Sequence, residues 1–437
     1  MSVCARTVGI YTLGCKVNQY ESEAIAEEFE KQGFTVQSPS LSCDIYIINT
    51  CTVTAESDRK AKQFIRRAIH RNPLAYILVT GCLSQTQADA VAEIQGVDYV
   101  CGNARKLSVV DAAKRLTKAG EKPIHPIVEI TPPDSDGFET MKITKFDRTR
   151  AYVKIQDGCE NRCTYCIIPT ARGSVRSKSP MDVIEEVRTL TEGGCKEIVL
   201  TGIETASYGR DLDGCTLADL LCRIDSIPNI GRIRLGSLDP SLMKQEFVDR
   251  IAALPSLAHH FHISMQSGSD RILALMKRKY NRRMALEGIA RLRKAMPDVQ
   301  LTTDIIVGFP QESEEDFLES VSLTEEARFL MVHVFPYSKR AGTLAAVMPG
   351  QIPQQIKHER VARLTRIAER VRGEILDSMI GKTVEVLFET DDNGSAYGHT
   401  ATFIQVCCPS PVPLQGTLRT VRITGHNEDF CDGVIID

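Results

Sequence analysis

No run of about 18 apolar residues occurs in this 437-residue chain, which excludes a membrane-spanning helix. The opening Met-Ser-Val-Cys-Ala-Arg lacks a basic segment followed by a long apolar stretch, so no signal peptide is expected. Neither sign of charge dominates: 53 Lys and Arg face 56 Asp and Glu, a formal net charge of −3. That balance gives no global nucleic-acid signature, and any cationic surface must be local. Internal repeats and low-complexity tracts are missing too. Fifteen cysteines in a chain this long do not make a secreted disulfide scaffold. Their clustered spacing points to metal chemistry in a reducing compartment, and a cytoplasmic protein is expected. The composition, 25% charged and 43% apolar, is ordinary, and the length allows two or three domains.

Three cysteines, Cys159, Cys163 and Cys166, form a CxxxCxxC array within Asp157-Gly-Cys-Glu-Asn-Arg-Cys-Thr-Tyr-Cys-Ile-Ile-Pro169. By composition, chance would place such an array in the chain about 0.02 times. Iron–sulfur clusters are held by cysteine thiolates, usually four. A loop that supplies three suggests an iron kept open for a substrate or cofactor. A structural zinc ion is the competing reading. Zinc usually takes four ligands from paired CxxC or CxxC/HxxxH units, and no His or Cys pair follows the loop at such a spacing.

Residues 7–118 alternate short apolar runs (8–13, 45–49, 75–80 and 97–101) with helical patterns near 18–32, 54–70, 84–94 and 105–118. Strands alternating with helices predict a parallel sheet covered on both faces. The stretch Ile130-Thr-Pro-Pro-Asp-Ser-Asp-Gly137 reads as a linker. From residue 151 to about 338 the alternation resumes, with strands beginning near Tyr152, Glu197, Arg232, His260, Gln300 and Met331. Six βα units predict a barrel-like or partly open parallel sheet. The cysteine loop follows its first strand, at the carboxyl end where such folds place their chemistry. Residues 353–376 predict an amphipathic helix, with Val361, Leu364, Ala368, Val371 and Ile375 on one face and Arg363, Arg366 and Arg370 opposite. After Gly381, β runs at 383–390, 399–407 and 417–424 predict a small barrel. The expected fold class is α/β. It comprises an N-terminal parallel α/β sandwich (1–122), a linker (123–146), a central partial (βα)6 barrel (147–375) and a small C-terminal antiparallel β-barrel (376–437).

A second cysteine pattern lies in the first of these units. Cys15, Cys51 and Cys82 each stand immediately after a predicted parallel strand. Carboxyl ends of neighbouring parallel strands share one edge, so three thiols distant in sequence can converge there. Gly14 and Gly81 would let backbone approach a bulky group closely. Simple packing is the competing reading for any cysteine, and it is the expected role of Cys4, Cys43, Cys101, Cys195, Cys215 and Cys222.

The CxxxCxxC loop resembles that of the radical S-adenosylmethionine (radical SAM) enzymes, in which the open iron chelates the methionine moiety of SAM. Tyr165 fits that family's aromatic position near the adenine. Over nearly its whole length the chain resembles the radical SAM methylthiotransferases. Thr12-Leu-Gly-Cys-Lys-Val-Asn-Gln-Tyr-Glu-Ser22, Asn49-Thr-Cys-Thr-Val-Thr54 and Thr80-Gly-Cys-Leu83 match their N-terminal domain. The resemblance implies two [4Fe–4S] clusters, an auxiliary one on Cys15, Cys51 and Cys82 and the SAM-cleaving one on Cys159, Cys163 and Cys166. The C-terminal module is similar to the family's small RNA-contacting TRAM domain. Three branches share this architecture, acting on isopentenyladenosine in tRNA, on threonylcarbamoyladenosine in tRNA, or on an aspartate of a ribosomal protein. Leu13-Gly-Cys-Lys-Val-Asn18, Asn49-Thr-Cys-Thr-Val-Thr54 and Thr201-Gly-Ile-Glu-Thr-Ala-Ser-Tyr-Gly209 look most like the threonylcarbamoyladenosine branch.

The implied reaction replaces the hydrogen on carbon 2 of the adenine beside the anticodon with a methylthio group. That C–H bond is not acidic enough for a side-chain base, so the cofactor supplies a radical instead. Cleavage of SAM would give a 5′-deoxyadenosyl radical that abstracts the hydrogen, the auxiliary cluster would present sulfur, and a further SAM would donate the methyl group. Thr201, Gly202 and Glu204, Ser237, Gln266 and Asp304 lie at or near the ends of the second to fifth barrel strands and are the expected cofactor contacts. Implied partners are tRNA, an electron donor such as a flavodoxin or ferredoxin, and a sulfur source, with no membrane.

RNA binding needs local positive charge. The expected contacts are Arg59, Lys62 and Arg66, then Lys277, Arg278 and Arg282, then Arg363, Arg366 and Arg370. Residues 376–437 oppose this trend, with three basic residues against nine acidic ones. A non-catalytic iron–sulfur protein that binds RNA or carries electrons stays open as an alternative, as does a zinc-bearing RNA-binding protein.

Overall fold

Ile, Val and Tyr dominate the early strand runs, and such side chains suit a sheet buried on both faces. The structure, a computed structural model, describes residues 6–135, 137–146 and 149–437; Cys4 lies outside them. The N-terminal sheet is parallel, with strands in the order Thr35–Gln37, Thr7–Thr12, Ile45–Thr50, Tyr76–Gly81, Tyr99–Cys101 and Ile127–Glu129. Helices Lys16–Lys31 and Ser108–Ala119 cover one face and Ala55–Arg71 the other. Both edge strands are three residues long and show no sequence periodicity. One of them, Ile127–Glu129, lies within the stretch expected to be a linker. Cys43, Cys101, Cys195 and Cys215 are buried in the packing, and Cys222 is half-buried.

The central unit contains the six expected strands: Arg150–Asp157, Glu197–Gly202, Arg232–Leu235 (continuing as Ser237–Leu238), His260–Gln266, Gln300–Val307 and Met331–Pro336. They are parallel neighbours in that order. No ladder joins the first strand to the sixth among the described residues, so the barrel is open. Side chains alternate between lumen and exterior. Phe261, Ile263 and Met265 of the fourth strand join the outer apolar core, which leaves His260, His262, Ser264 and Gln266 facing inward.

Five strands close the C-terminal barrel, in the order Thr383–Asp392, Ser395–Thr400, Gln405–Pro409, Cys431–Ile435 and Leu418–His426. One pair, Gln405–Pro409 with Cys431–Ile435, is parallel, so the barrel is mostly rather than wholly antiparallel. The run expected as a single strand over 399–407 breaks at 401–404. Thr400 causes the break: its hydroxyl accepts from the Ile404 amide at 3.0 Å and its carbonyl from the Phe403 amide at 3.0 Å. Phe403 sits at φ +71°, and its ring stacks between His260 (4.5 Å) and His399 (4.7 Å). The guanidinium groups of Arg234 and Arg150 lie over the same ring, at 4.9 and 5.7 Å. Arg150 pairs with Glu389, and Arg232 with Glu385 at 3.1 Å. The acidic module is therefore docked by its carboxylates and one aromatic plug onto arginines at the amino end of the large barrel. Helix Gln354–Asp377 connects the two barrels and buries Leu364, Ala368, Val371 and Ile375. No helix among the described residues is long and apolar enough to cross a membrane.

Candidate active site

The cysteine loop begins where strand Arg150–Asp157 ends. Gly158 has φ +72°, and a Cβ there would stand 1.7 Å from the Ser174 carbonyl oxygen, so only glycine fits. The Cys159 amide donates to the Gly173 carbonyl at 2.9 Å, and Thr164 anchors the loop to Met276 and Leu275 at 3.1 and 2.9 Å. Cys159, Cys163 and Cys166 all line one cavity of about 320 Å³. Tyr165, Glu204, Gln266 and Asp304 line it too. Gln266 holds an uncommon φ of +64° where the strand register shifts, which turns it into the cavity.

Three expected cofactor contacts fall elsewhere. Thr201 is buried, and Gly202 is pressed against Gln156 of the neighbouring strand; neither lines the cavity. Ser237 is exposed and offers its carbonyl to the Thr205 hydroxyl. Arg278 is a further correction. Expected on an RNA-facing surface, it instead lines the cavity, donating to Cys163 Sγ at 3.2 Å and Asp239 at 2.8 Å and lying on the Tyr280 ring. The two lysines that flank it mask this burial in sequence.

Cys15, Cys51 and Cys82 stand at the ends of three adjacent strands, as the edge argument requires. A Cβ on Gly14 would lie 2.6 Å from Cys51 Cβ, and one on Gly81 would lie 2.4 Å from the Thr50 carbonyl; both glycines have positive φ. Val53 and Thr54, just beyond Cys51, line the same 320 Å³ cavity as the other triad. Arg340 fastens that loop to the barrel, donating to Thr52 at 2.6 Å and pairing with Asp58 at 2.8 Å.

A buried charge network lies behind the triads. Arg172 donates to Cys82 Sγ at 3.4 Å, Asn18 at 2.7 Å, Glu21 at 2.8 and 3.1 Å, and both oxygens of Asp157 at 3.1 Å. Lys106 and Lys154 also bind Glu21, and Lys154 binds Asp157. Burial alone would raise the Glu21 carboxyl, but Arg172, Lys106 and Lys154 hold it well below the usual carboxylate range. Three hydrogen-bonded cations thus face two carboxylates, leaving positive charge beside Cys82. No sequence motif marks Arg172.

Both triads suit an anionic donor set that needs a metal group. Burial, with neighbouring thiols adding, pushes Cys159 up to about 11, Cys166 up to about 12 and Cys51 up to about 11. Held together without a metal, these sulfurs stay protonated; a cluster would take them as thiolates. Each triad has one arginine at hydrogen-bond distance from a sulfur. Among the described residues, the group of three whose ligand atoms all fall within 4.8 Å is His262, Asp304 and His333, and neither cysteine triad meets that spacing.

Of the expected RNA contacts, most are already paired. Arg59 binds Glu56, Arg282 binds Glu326, Arg363 binds Glu314, and Arg370 binds Glu325 and Glu374. Lys62 is half-buried, while Arg66, Lys277 and Arg366 are exposed.

A six-stranded parallel half-barrel carrying a three-cysteine loop defines the radical SAM class, and comparison with known proteins agrees. The Radical SAM superfamily model matches residues 153–324, and that of uncharacterized protein family UPF0004 matches 7–102. Threonylcarbamoyladenosine tRNA methylthiotransferase MtaB of Bacillus subtilis is 37% identical, across 98% of this chain and 96% of that one. The protein of the same name from Thermotoga maritima is 41% identical, across 88% and 87%. The tRNA-2-methylthio-N(6)-dimethylallyladenosine synthase of Thermoanaerobacter pseudethanolicus is 36% identical, across 98% and 92%. Among solved structures, the radical SAM methyltransferase TsrM of Kitasatospora setae, with cobalamin and [4Fe–4S] cluster bound, shares the fold. Its TM-score is 0.57 at 15% identity, covering 79% of this chain and 77% of that one. The chain belongs to the radical SAM methylthiotransferase family. It is an enzyme that transfers a sulfur-containing group, using SAM and a [4Fe–4S] cluster.

Proposed function

We propose that this enzyme inserts a methylthio group at carbon 2 of the N-threonylcarbamoylated adenosine adjacent to the anticodon of tRNA. The observation that carries the reading is the shared cavity, in which the loop after Cys51 and the loop of Cys159, Cys163 and Cys166 form facing walls. The names of the Bacillus and Thermotoga relatives support the substrate. Cys159, Cys163 and Cys166 would hold the SAM-binding cluster and Cys15, Cys51 and Cys82 a second one; together these groups supply the radical and the sulfur.

The chain's own residues orient and shield that chemistry. Tyr165 packs beside the adenine, while Glu204, Gln266 and Asp304 offer polar contacts to SAM. Arg278 compensates charge at Cys163 and Arg172 at Cys82. Thr201, Gly202 and Ser237 act only by holding neighbouring loops. Lys62, Arg66, Lys277 and Arg366 are the cations available to RNA phosphates. The reaction also calls for an electron donor of flavodoxin or ferredoxin type, a sulfur source and a cytoplasmic setting. Nucleoside mass spectrometry of tRNA from a deletion strain tests the reading. Loss of methylthio-threonylcarbamoyladenosine, restored by the gene, is expected. An unchanged level of that nucleoside rejects the substrate.

A further inference from the structure

Three neighbouring strands of the open barrel each bring one side chain to the same point in the lumen. Ser264 and Gln266, Asp304 and Ile306, and Phe335 line the cavity from strands His260–Gln266, Gln300–Val307 and Met331–Pro336. His262 precedes Ser264 by two residues and His333 precedes Phe335 by two, so both share those inward faces. Ladder pairing sets His262 opposite Thr302 and Asp304 opposite His333. One ligating atom from each of His262, Asp304 and His333 therefore lies within 4.8 Å of the other two.

Two contacts orient the first of these side chains. His262 Nδ1 is 3.0 Å from the Thr302 hydroxyl, and its Nε2 is 3.3 Å from Asp304 Oδ2. A ligating histidine usually has its second ring nitrogen held in this way, which fixes the ring and leaves the first nitrogen for a metal. The Thr302 hydroxyl is itself held, 3.1 Å from His260 Nε2. A hydrogen bond between His262 and Asp304 would account for two members of the group but not for the third. His333 is exposed, its ring is 6.0 Å from that of His262, and it makes no hydrogen bond among the described residues. Metal–ligand bonds of about 2.0–2.2 Å set two ligand atoms on one ion at most about 4.4 Å apart. The 3.3 Å pair fits directly, and a small rotation of the exposed His333 ring completes the set.

The surrounding charge is close to balanced. At the amino end of the lumen Arg150, Arg232 and Arg234 are met by Glu197, Glu385 and Glu389, three cations against three carboxylates. Lys16 is a further cation whose field reaches His333, and it lowers the affinity to be expected of an ion there.

We propose that His262, Asp304 and His333 bind one divalent first-row cation at the floor of the cavity, separate from the iron held by cysteines. Two imidazoles and one carboxylate are a donor set for ions such as Zn²⁺, Fe²⁺ or Mn²⁺, and three ligands on one side of the ion leave positions open. Those positions face the cavity, where an oxygen or nitrogen of a bound molecule completes the coordination. Asp304 can ligate through Oδ2 and keep Oδ1 for the cofactor contact proposed above. The inference does not depend on which adenosine is the substrate.

The test uses reconstituted holoenzyme, washed with a chelator and kept anaerobic without reductant, so that its clusters stay in their diamagnetic oxidised state. Mn²⁺ is titrated in, and the free ion is counted from its six-line electron paramagnetic resonance signal. Wild type should remove one Mn²⁺ per chain from that signal, and Zn²⁺ should release it. His333→Ala and Asp304→Asn should each abolish the stoichiometric site. Thr302→Val, which touches no ion and removes only the support of His262, should weaken it by about 10- to 100-fold. Iron content and a thermal melt confirm that each variant is folded and loaded, and the exposed His333 carries the test where a buried change lowers stability. Wild type that retains no Mn²⁺ and no Zn²⁺ overturns the inference, leaving His262 and Asp304 as a hydrogen-bonded pair. Stoichiometric binding that survives in both His333→Ala and Asp304→Asn overturns it too, since the ion would then sit elsewhere.

Discussion

Arg172 places its Nε 3.4 Å from the sulfur of Cys82, while the same guanidinium grips Asp157, two residues before Cys159. One buried side chain thereby spans both cysteine triads. Removing one partner of a buried ion pair costs about 3–5 kcal/mol, because the other charges remain desolvated. Arg172→Met should therefore lower the melting temperature sharply and, if Cys15, Cys51 and Cys82 hold a second cluster as proposed above, release about half of the iron. Arg172→Lys, which keeps the charge but not the fork, should fall between. Iron analysis beside a thermal melt checks both, and full iron in a normally melting Arg172→Met would remove the network from cluster support.

Glu204 gives the cavity a pH dependence. Burial, reinforced by the charge of Asp239, pushes its carboxyl up to about 7, and Asn161 donates to it at 2.7 Å. A carboxyl raised this far is neutral below pH 7 and ionised above it, so in the SAM contact proposed above its attraction for the amino group would grow as pH rises. SAM affinity should strengthen roughly tenfold between pH 6 and pH 8, and Glu204→Gln should flatten that rise. Stability runs the opposite way. The folded pKa exceeds the unfolded value of 4.5, so ionisation opposes folding, with no penalty below about 4.5 and the full penalty above about 7. Calorimetric SAM titrations of both proteins decide it; a flat wild-type profile excludes Glu204 from the SAM contact.

The parallel strands, and the position of the cysteines at their carboxyl ends, were legible because each rests on local pattern: apolar runs of fixed period, and thiols at repeated strand ends. The edge strands Thr35–Gln37 and Ile127–Glu129 were not, since three residues cannot display a period. Neither was Arg172, whose partners Glu21 and Asp157 come from different units of the chain and meet only after folding. Arg278 was misplaced because a run of three basic residues looks like a solvated face, and only the middle one turns inward. The break at Thr400 was hidden for a related reason. A continuous β-like run from 399 to 407 does not announce that one hydroxyl will cap a turn and expel Phe403.

Ion pairing sorts the cations available to RNA. Arg370 is held between Glu325 and Glu374, so Arg370→Ala should leave tRNA affinity almost unchanged. Lys62 and Arg66, on helix Ala55–Arg71 close to the cavity wall, make no ion pair among the described residues. The double variant Lys62→Ala, Arg66→Ala should weaken binding and lower the slope of log affinity against log salt by about 1.5–2, for two lost phosphate contacts. Filter binding at several salt concentrations measures the slope. An unaltered slope would assign the RNA surface elsewhere.

Phe403 determines what the acidic module contributes. Its ring lies between His260 and His399 with Arg150 and Arg234 above it, so the module closes the amino end of the large barrel. Truncating a half-buried phenylalanine costs less than the full core value, about 2–3 kcal/mol. The neighbouring pairs Arg232–Glu385 and Arg150–Glu389 are too few to hold the interface alone, since partly exposed pairs contribute little. Phe403→Ala should therefore loosen the module and expose the segment after Asp377 to protease, while the iron content stays at the wild-type level. Faster cleavage near residues 378–382 is the expected readout. Protection equal to wild type would mean that the arginine–carboxylate pairs, and not the aromatic plug, join the two barrels.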